Sequence, residues 1–349
     1  MKVLVTGHNG YIGSLMGPML MAAGHDVVGL DNYLFEGCSF GEPTPEIPSL
    51  RSDIRDVVAR DLEGFDAIVH LAGISDDPVG ALNPECTYAI NHRASVRLAR
   101  VARQAGVKRF VFSSSCSLYG AAGGDAFLTE DAEISPVTAY GKSKALVERD
   151  VSTLATDSFS PTFLRNATVF GASPQLRTDL VVNNLVGIAY LTGEVLIKSD
   201  GTPWRPLIHI EDVARVFLAA LEAPRERIHD QALNVGTNEE NYRISDVANL
   251  IEEIVPNSRV VYAEGGGPDR RSYRVDFTKM TTTFPGFTPT WTVRRGVEQL
   301  LEAYRRNGLT TESFQTRFVR LQRIKQLMSM GQLDTDLRRT SARLEETRN

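Results

Sequence analysis

The chain has 349 residues and a net charge of −5, which is long enough for a large core and for two lobes. It contains no long basic run, so we expect no nucleic-acid partner. The three cysteines, Cys38, Cys86 and Cys116, show no C-x-x-C spacing, which argues against a disulfide framework and a metal site. There is no signal-peptide pattern and no apolar run of membrane-spanning length, so we expect a cytoplasmic protein with no membrane partner.

A glycine-rich turn follows the first predicted strand. Residues 1–5 form an apolar run with two β-branched residues, which predicts a buried parallel strand. The next residues carry glycines at positions 7, 10 and 13. In a dinucleotide-binding turn, such glycines allow the tight bend, the approach of a diphosphate to the backbone, and helix packing on the sheet. We expect these turn residues to contact the cofactor: Gly7, Asn9, Gly10, Tyr11, Ile12 and Gly13.

An acidic residue ends the second predicted strand. Asp31 lies about 20 residues beyond the glycine turn, where a carboxylate can accept hydrogen bonds from both hydroxyls of a ribose. The next residues, Asn32 and Tyr33, bring no cation that could offset a 2′-phosphate, so NAD is favoured over NADP. We also expect Asn32 to line the cofactor site. Asp53 and Ile54 follow the third predicted strand and are expected to bracket the adenine.

The first half of the chain alternates strands and helices. Residues 67–73 and 109–113 are strand-like runs, and residues 94–105 between them form an amphipathic helical pattern. This alternation predicts an α/β fold with a Rossmann-type doubly wound parallel sheet, which binds ligands at the carboxyl ends of its strands. The residues at two of these ends join the predicted cofactor site: Leu71, Ala72, Gly73 and Ser113.

A tyrosine and a lysine are spaced by one helical turn. Tyr140 and Lys144 lie on the same face of a predicted helix. A phenol has a pKa of about 10, too high for a good base at neutral pH. A nearby ammonium and the positive nicotinamide would lower that pKa. We expect Tyr140 to take a proton from a substrate hydroxyl while a hydride moves to the cofactor, with both residues also touching the cofactor.

With these motifs in order, residues 1 to about 305 resemble the extended short-chain dehydrogenase/reductase family, and within it the NAD-dependent nucleotide-sugar epimerases and dehydratases. The resemblance rests on the glycine turn, Leu71-Ala72-Gly73, Tyr140-x-x-x-Lys144, Asn184-Leu185 and Arg205-x-x-x-His209-x-x-Asp212. It implies a nucleotide-diphosphate sugar as substrate, NAD as cofactor, and a homodimer.

The resemblance also assigns residues to the reaction. The family's catalytic serine or threonine stands five residues before the glycine of the Tyr119-Gly120 pair, which selects Ser115. Asn184, Leu185 and Arg205 match positions that contact the substrate diphosphate in the family. A further family arginine is replaced by Gly266, so Arg270, Arg271 or Arg177 is expected to take its place. We therefore predict the following substrate contacts: Ser115, Cys116, Ser117, Asn184, Leu185, Arg205 and Arg270.

The two positions after Ser115 bear on the reaction. The resembling dehydratases carry Asp-Glu there, and the resembling decarboxylases need a glutamate at the second position, whereas this chain has Cys116 and Ser117. The simplest interpretation is C4 epimerisation through a transient 4-keto sugar, which needs no further base. The alternatives are C3/C5 epimerisation with Cys116 as acid or base, C4 reduction, dehydration or decarboxylation, and a non-catalytic NAD-binding sensor.

The predicted organisation has three parts. The NAD-binding lobe covers residues 1–165 and recovers a strand and helix near 205–223. A smaller substrate-binding lobe takes 166–204 and 224–305. Residues 306–349 form a helical extension with apolar positions 318, 321, 324 and 327, which would pack on the body or on a partner, followed by a polar tail from residue 338.

Overall fold

The structure is a computed structural model, and it describes residues 1–121, 126–265, 267 and 271–340. The strands are, in chain order, β1 (Lys2–Thr6), β2 (Asp26–Asp31), β3 (Ser49–Arg51), β4 (Ala67–His70), β5 (Arg109–Ser115), β6 (Phe127–Leu128), β7 (Ser160–Asn166), β8 (Thr168–Phe170), β9 (Glu194–Ile197), β10 (Trp204–His209), β11 (Gln231–Val235), β12 (Asn241–Arg243), β13 (Arg259–Tyr262) and β14 (Arg274–Val275). The α-helices are α1 (Gly13–Ala22), α2 (Asp77–Leu82), α3 (Pro84–Thr87), α4 (Ser95–Gln104), α5 (Ala139–Ser152), α6 (Val181–Thr192), α7 (Ile210–Glu222), α8 (Arg225–Ile228), α9 (Ile244–Ile254), α10 (Thr278–Thr283), α11 (Val293–Arg306), α12 (Thr311–Gln315) and α13 (Arg320–Ser329).

The largest sheet has the strand order β3-β2-β1-β4-β5-β7-β11, and every neighbouring pair is parallel. This is the 3-2-1-4-5-6 order of doubly wound dinucleotide-binding sheets with one further strand. All residues of β4 and β7 are buried, as expected for central strands with both faces covered. The predicted Rossmann-type α/β fold is therefore confirmed. Because the strand order reverses between β1 and β4, a crevice opens at the carboxyl ends of these two strands.

The chain returns to this sheet at a later strand than predicted. We expected the first lobe to recover a strand and a helix near residues 205–223. Helix α7 does pack against α1 and β5, but β10 pairs with β8 and β12 in a separate sheet. The strand that joins the large sheet is β11, which pairs with β7. The reason is that α7 lies on the large sheet and connects to it at the strand after the helix. That strand is β11.

A second apolar core lies beside the large sheet. It is formed by α6, α9 and α11 together with the small sheets β12-β10-β8 and β13-β9. Phe170, Val186, Val247 and Leu300 are among its buried side chains. This core supports one wall of the site described below, while the lobe boundaries given above stay predictions.

Residues 306–340 pack on the body of the protein. Helix α13 buries Ile324 and Leu327 in the same apolar cluster as Leu34 and Ile54 of the first lobe. Phe318 precedes this helix and packs edge-on against Phe40. The last part of the predicted polar tail, residues 341–349, lies outside the described residues. Within the described part of the chain, no helix combines the length and the apolar character that a bilayer crossing requires.

Candidate active site

The turn between β1 and α1 requires glycine at two positions. Gly7 has a φ of +75°, and a Cβ there would lie 2.8 Å from the backbone nitrogen of Ala72. A Cβ on Gly13 would collide with the carbonyl oxygen of Gly7. Helix α1 begins without a side-chain cap, and the N–H groups of Ser14 and Leu15 donate to the carbonyl oxygens of Gly10 and Ile12. The N–H groups of residues 11–13, just before and at the start of the helix, have no partner among the described residues and remain for an anion. The turn can therefore bring bare backbone donors close to a diphosphate.

A cofactor crevice runs from this turn along the ends of β1, β2 and β4. It is lined by these predicted cofactor residues: Gly7, Asn9, Gly10, Tyr11, Ile12, Gly13, Asp31, Asn32, Asp53, Ile54, Leu71, Ala72 and Gly73. The Asp31 carboxylate accepts hydrogen bonds from the backbone N–H groups of Asn9 at 3.1 Å and Tyr33 at 2.7 Å. The Asp53 carboxylate pairs with Arg55 at 2.6 Å. The glycine cradle and the Asp31 acceptor together fit NAD, with the diphosphate at the turn and a ribose at the acid.

Two arginines that the sequence analysis did not assign to the cofactor also line the cofactor crevice. Arg177 donates to Ser75 Oγ at 2.7 Å and forms an ion pair with Asp179. Burial raises the pKa of the Asp31 carboxyl, and Arg320, from the start of α13, lies close enough for its charge to offset a small part of this effect. The sequence argument found no cation after Asp31 because it considered only neighbours along the chain. No local pattern distinguishes Arg320 from the other arginines of its segment.

A second, larger crevice of about 1160 Å³ adjoins the cofactor crevice, and Tyr11, Gly73 and Arg177 line both. Its volume exceeds the usual range for drug-sized ligands, which suits a ligand as extended as a nucleotide sugar. The predicted residues that line it are Ser113, Ser115, Ser117, Tyr140, Lys144, Asn184, Leu185 and Arg205. The structure therefore gathers the predicted proton-transfer residues in the large crevice, with Tyr140 close enough to Arg177, which lines both crevices, for this charge to act on its phenol.

Ser115, Tyr140 and Lys144 come together from β5 and α5. Thr138 caps α5 by accepting a hydrogen bond from Gly141 N at 3.1 Å, which fixes the start of the helix beside the end of β5. The Ser115 hydroxyl accepts a hydrogen bond from Ser117 N at 3.1 Å and lies close enough to the Tyr140 phenol to lower its pKa. Lys144 Nζ donates to the carbonyl oxygen of Ser113 at 2.5 Å and lies 5.6 Å from the centre of the Tyr140 ring. A hydroxyl, a phenol and an amine thus share one small volume.

The protein alone does not lower the pKa of Tyr140 as we predicted. Burial raises this pKa, while the hydrogen bond with Ser115 and the charge of Arg177 lower it. Burial also lowers the pKa of Lys144 to about 7, so its ammonium carries less charge at neutral pH than we assumed. Ser115 and Arg177 therefore offset only part of the effect of burial, and the positive nicotinamide of bound NAD⁺ would lower the pKa of Tyr140 further.

The structure corrects the predicted position of Cys116. Its thiol is 1% exposed, donates to the carbonyl oxygen of Arg165 at 3.1 Å, and is absent from the described lining of the large crevice. The reason is that β5 ends at Ser115 and the chain turns into a short 3-10 helix, which directs Cys116 into the core beside Leu118 and Tyr119. Burial raises the pKa of this thiol well above its usual range. Cys116 therefore lacks both the exposure and the acidity that a catalytic thiol needs.

The remaining predicted contacts lie along the walls of the large crevice. Asn184 Nδ2 donates to the carbonyl oxygen of Thr178 at 2.7 Å. Arg205 donates to the backbone carbonyl of Arg271. Arg271 also lines this crevice, and its guanidinium pairs with Asp77 at 2.9 Å. The buried hydroxyl oxygen of Ser117 has no hydrogen-bond partner among the described residues. Three arginines were considered as replacements for the missing family arginine. Arg270 lies outside the described residues, and the structure locates the other two, Arg177 and Arg271.

A hydroxyl, a phenol and a lysine at the end of a dinucleotide crevice are suited to redox chemistry at a substrate hydroxyl, and this places the protein among dinucleotide-dependent enzymes. Residues 3–236 match the NAD dependent epimerase/dehydratase family. The chain belongs to this family, and its cofactor is NAD.

Curated and solved relatives agree with this assignment. The UDP-glucose 4-epimerase of Corynebacterium glutamicum is 29% identical over 271 residues, which are 73% of this chain and 80% of that protein. The structure of MoeE5 in complex with UDP-glucuronic acid and NAD has a TM-score of 0.76 and 28% identity, covering 88% of this chain and 99% of that chain. The UDP-glucose 4-epimerase of Thermotoga maritima, solved with UDP-glucose, has a TM-score of 0.76 and 26% identity, covering 88% of this chain and all of that one.

Proposed function

We propose that this protein is an NAD-dependent nucleotide-sugar epimerase that inverts carbon 4 of a hexose through a transient 4-keto sugar. The observation that carries this proposal is the composition of the large crevice, which adjoins the cofactor crevice. Ser115, Tyr140 and Lys144 are present there, whereas the two positions after Ser115 hold a buried thiol and a small hydroxyl. The site can therefore oxidise and reduce a carbinol, and these two positions supply no carboxylate for elimination or decarboxylation.

Side chains of the protein would transfer the proton of the C4 hydroxyl. Tyr140 takes the proton of the C4 hydroxyl as the C4–H bond transfers its hydride, and returns that proton to the oxygen after the 4-keto sugar has turned. Ser115 holds the same oxygen by a hydrogen bond, and Lys144 is held against the end of β5 by its bond to Ser113. When bound, NAD⁺ accepts the hydride and gives it back to the other face of the sugar, so the cofactor ends each turnover oxidised.

The large crevice offers cations for a diphosphate. Arg205, Arg271 and Arg177 all line it, and a guanidinium suits phosphate because its paired N–H groups match two oxygens. We assign the diphosphate to this group of arginines, with Asn184, Leu185 and Ser117 as further contacts. The relatives named above act on or bind UDP-sugars, which supports a UDP-hexose or UDP-hexuronate as the substrate.

The alternative in which Cys116 epimerises C3 or C5 finds no support, because its thiol is buried in the core. The alternative of a non-catalytic sensor is disfavoured because Ser115, Tyr140 and Lys144 are all present and line one crevice. We further propose that the protein acts in the cytoplasm as a homodimer. Its three cysteines are all unpaired and buried, as expected in a reducing compartment, and light scattering of the purified protein measures its oligomeric state.

The reaction in D₂O tests the proposed carbon. UDP-glucose, UDP-galactose and UDP-glucuronic acid are incubated with the protein, and the products are examined by proton NMR and mass spectrometry. We expect a C4 epimer without carbon-bound deuterium, because the hydride leaves and returns without contacting water. Deuterium on a ring carbon would instead indicate C3/C5 epimerisation, dehydration or decarboxylation. If none of the three probes were converted, the proposed substrate class would be wrong.

A further inference from the structure

The C-terminal strap, residues 306–340, lies beyond the part of the chain that matches the family and supplies part of the cofactor crevice. We propose that Arg320 of this strap binds the diphosphate of NAD, and that the strap thereby retains the cofactor between turnovers. The proposal concerns the NAD site and does not depend on which sugar or which carbon is processed.

The strap is packed against the cofactor crevice by apolar side chains. Ile324 and Leu337 line the crevice together with Ile54 and Leu34 of the first lobe. Both strap residues are buried and belong to the apolar cluster that continues under the first lobe. Moving Ile324 and Leu337 away would expose the apolar side chains of this cluster to water, so the strap is more stable when it is packed on the first lobe. The strap is therefore a wall of the crevice, and the cofactor cannot be enclosed there without it.

Polar contacts fix the strap at both sides of the crevice. Near the loop after β2, Arg323 donates to the carbonyl of Glu36 at 3.0 Å, and Arg317 to that of Gly37 at 3.0 Å. Near the loop after β3, Arg55 donates to the carbonyl of Asp336 at 2.7 Å. Arg338 adds an ion pair with Asp56 at 2.7 Å. Since Asp31 and Asp53 lie at the ends of β2 and the β3 loop, the strap spans the region predicted to hold the adenosine.

Arg320 places a buried positive charge inside this enclosure. It is 4% exposed, and its guanidinium stacks over the Phe35 ring at 3.9 Å. Nη2 donates to the carbonyl of Gln175 at 3.2 Å, whereas Nη1 is buried and has no hydrogen-bond partner among the described residues. A buried cation with an unused donor is costly unless a ligand supplies the acceptor. The charges of Asp179 and Asp31 already act on Arg320, but no hydrogen bond to Nη1 comes from the described residues, so this donor remains for an acceptor of a ligand in the crevice.

The position of Arg320 favours the diphosphate as that anion. Its partner Gln175 also donates through Nε2 to Asn9 Oδ1 of the glycine turn at 3.3 Å, so one residue connects Arg320 with the predicted diphosphate cradle. Burial lowers the pKa of Arg320 to about 10, which still leaves it charged at neutral pH. The phosphates are the anionic groups of the dinucleotide, and a guanidinium matches their oxygens.

The test measures how fast NAD leaves the holoenzyme. Holoenzyme is mixed with excess isotopically labelled NAD, without any sugar nucleotide, and the labelled fraction of bound NAD is followed by mass spectrometry. Arg320→Met keeps the apolar stem over Phe35 and removes the donors. We expect exchange about tenfold faster or more, the effect of losing one charge-assisted hydrogen bond. The control Lys325→Met removes an exposed positive charge from the same helix, α13, that does not line the crevice, and should exchange at the wild-type rate.

A second variant covers the case in which Arg320→Met does not fold. Arg320→Lys retains a positive charge and a long stem but offers no planar fork, and we expect it to exchange NAD faster than wild type with an unchanged thermal midpoint. Wild-type exchange rates in every folded Arg320 variant would overturn the proposal. Because no sugar is present, this result is independent of whether the protein proves to be a C4 epimerase.

Discussion

Replacing Tyr140 with phenylalanine lowers kcat by roughly 10²–10⁴-fold, the usual contribution of a positioned acid–base group, while NAD remains bound. The substitution removes only the phenol oxygen, whose pKa the nearby Ser115 hydroxyl lowers, and leaves the ring at the start of α5. The C4 proton then loses its acceptor, whereas the cofactor crevice is unchanged. The measurement is turnover of UDP-glucose, together with the NAD content of the purified variant.

Tyr88→Phe is the matched control for this prediction. Tyr88 lies in the π-helical segment Tyr88–Ala94, outside the described lining of both crevices. Its kcat should stay within about twofold of wild type, as for most substitutions away from a site. Wild-type turnover by Tyr140→Phe would contradict the proposed proton transfer. Loss of turnover together with loss of NAD would assign Tyr140 to cofactor retention instead.

Replacing Glu148 with glutamine lowers the free energy of unfolding by about 3–5 kcal/mol, the usual cost of breaking a buried ion pair from one side. Arg165 and Glu148 pair at 2.7 Å, and their side chains are only 6% and 8% exposed. Glu148 also accepts a hydrogen bond from Ser114 Oγ at 2.5 Å. Without the carboxylate, the guanidinium keeps its charge in the core, and the end of β5 that carries Ser115 loses a fixed partner. Urea unfolding measures this effect.

The control for this stability prediction is Glu85→Gln. Glu85 pairs with Arg93 at 2.6 Å, but both side chains are more than half exposed. Water and salt screen such a pair, so the expected change is about 0–1 kcal/mol. If Glu148→Gln also cost less than about 1 kcal/mol, the buried pair would not be the structural support of this strand end that its geometry indicates.

The sequence predicted those parts of the site whose geometry is encoded locally. A Cβ on Gly13 would collide with the backbone of the same turn, at Gly7. A Cβ on Gly7 would collide with the backbone of Ala72, which follows the neighbouring strand β4. Tyr140 and Lys144 were placed correctly relative to each other because one helical turn separates them. The parallel sheet followed from the alternation of strands and helices. Each of these inferences needs only short-range information.

The errors have a common physical origin in tertiary packing. Cys116 was placed in the substrate crevice because the pattern could not show that β5 ends one residue earlier. A strand near residue 205 was predicted for the NAD-binding lobe, whereas β10 pairs with β8 and β12 and the crossover through α7 leads to β11. Arg177 and Arg320 were missed as parts of the cofactor crevice because they arrive from distant segments. Arg320 in particular depends on how the C-terminal strap folds back, which no local spacing specifies.

The central claim is that NAD⁺ is reduced and reoxidised within one turnover, so that the substrate hydride returns to C4. A labelled substrate tests this claim most directly. UDP-[4-²H]glucose is incubated with the purified protein without added cofactor, and both epimers are analysed by deuterium NMR. The account predicts that deuterium remains on C4 of UDP-glucose and appears on C4 of UDP-galactose, with none released to water. Loss of the label to solvent, or turnover that stops until external NAD is supplied, would contradict it.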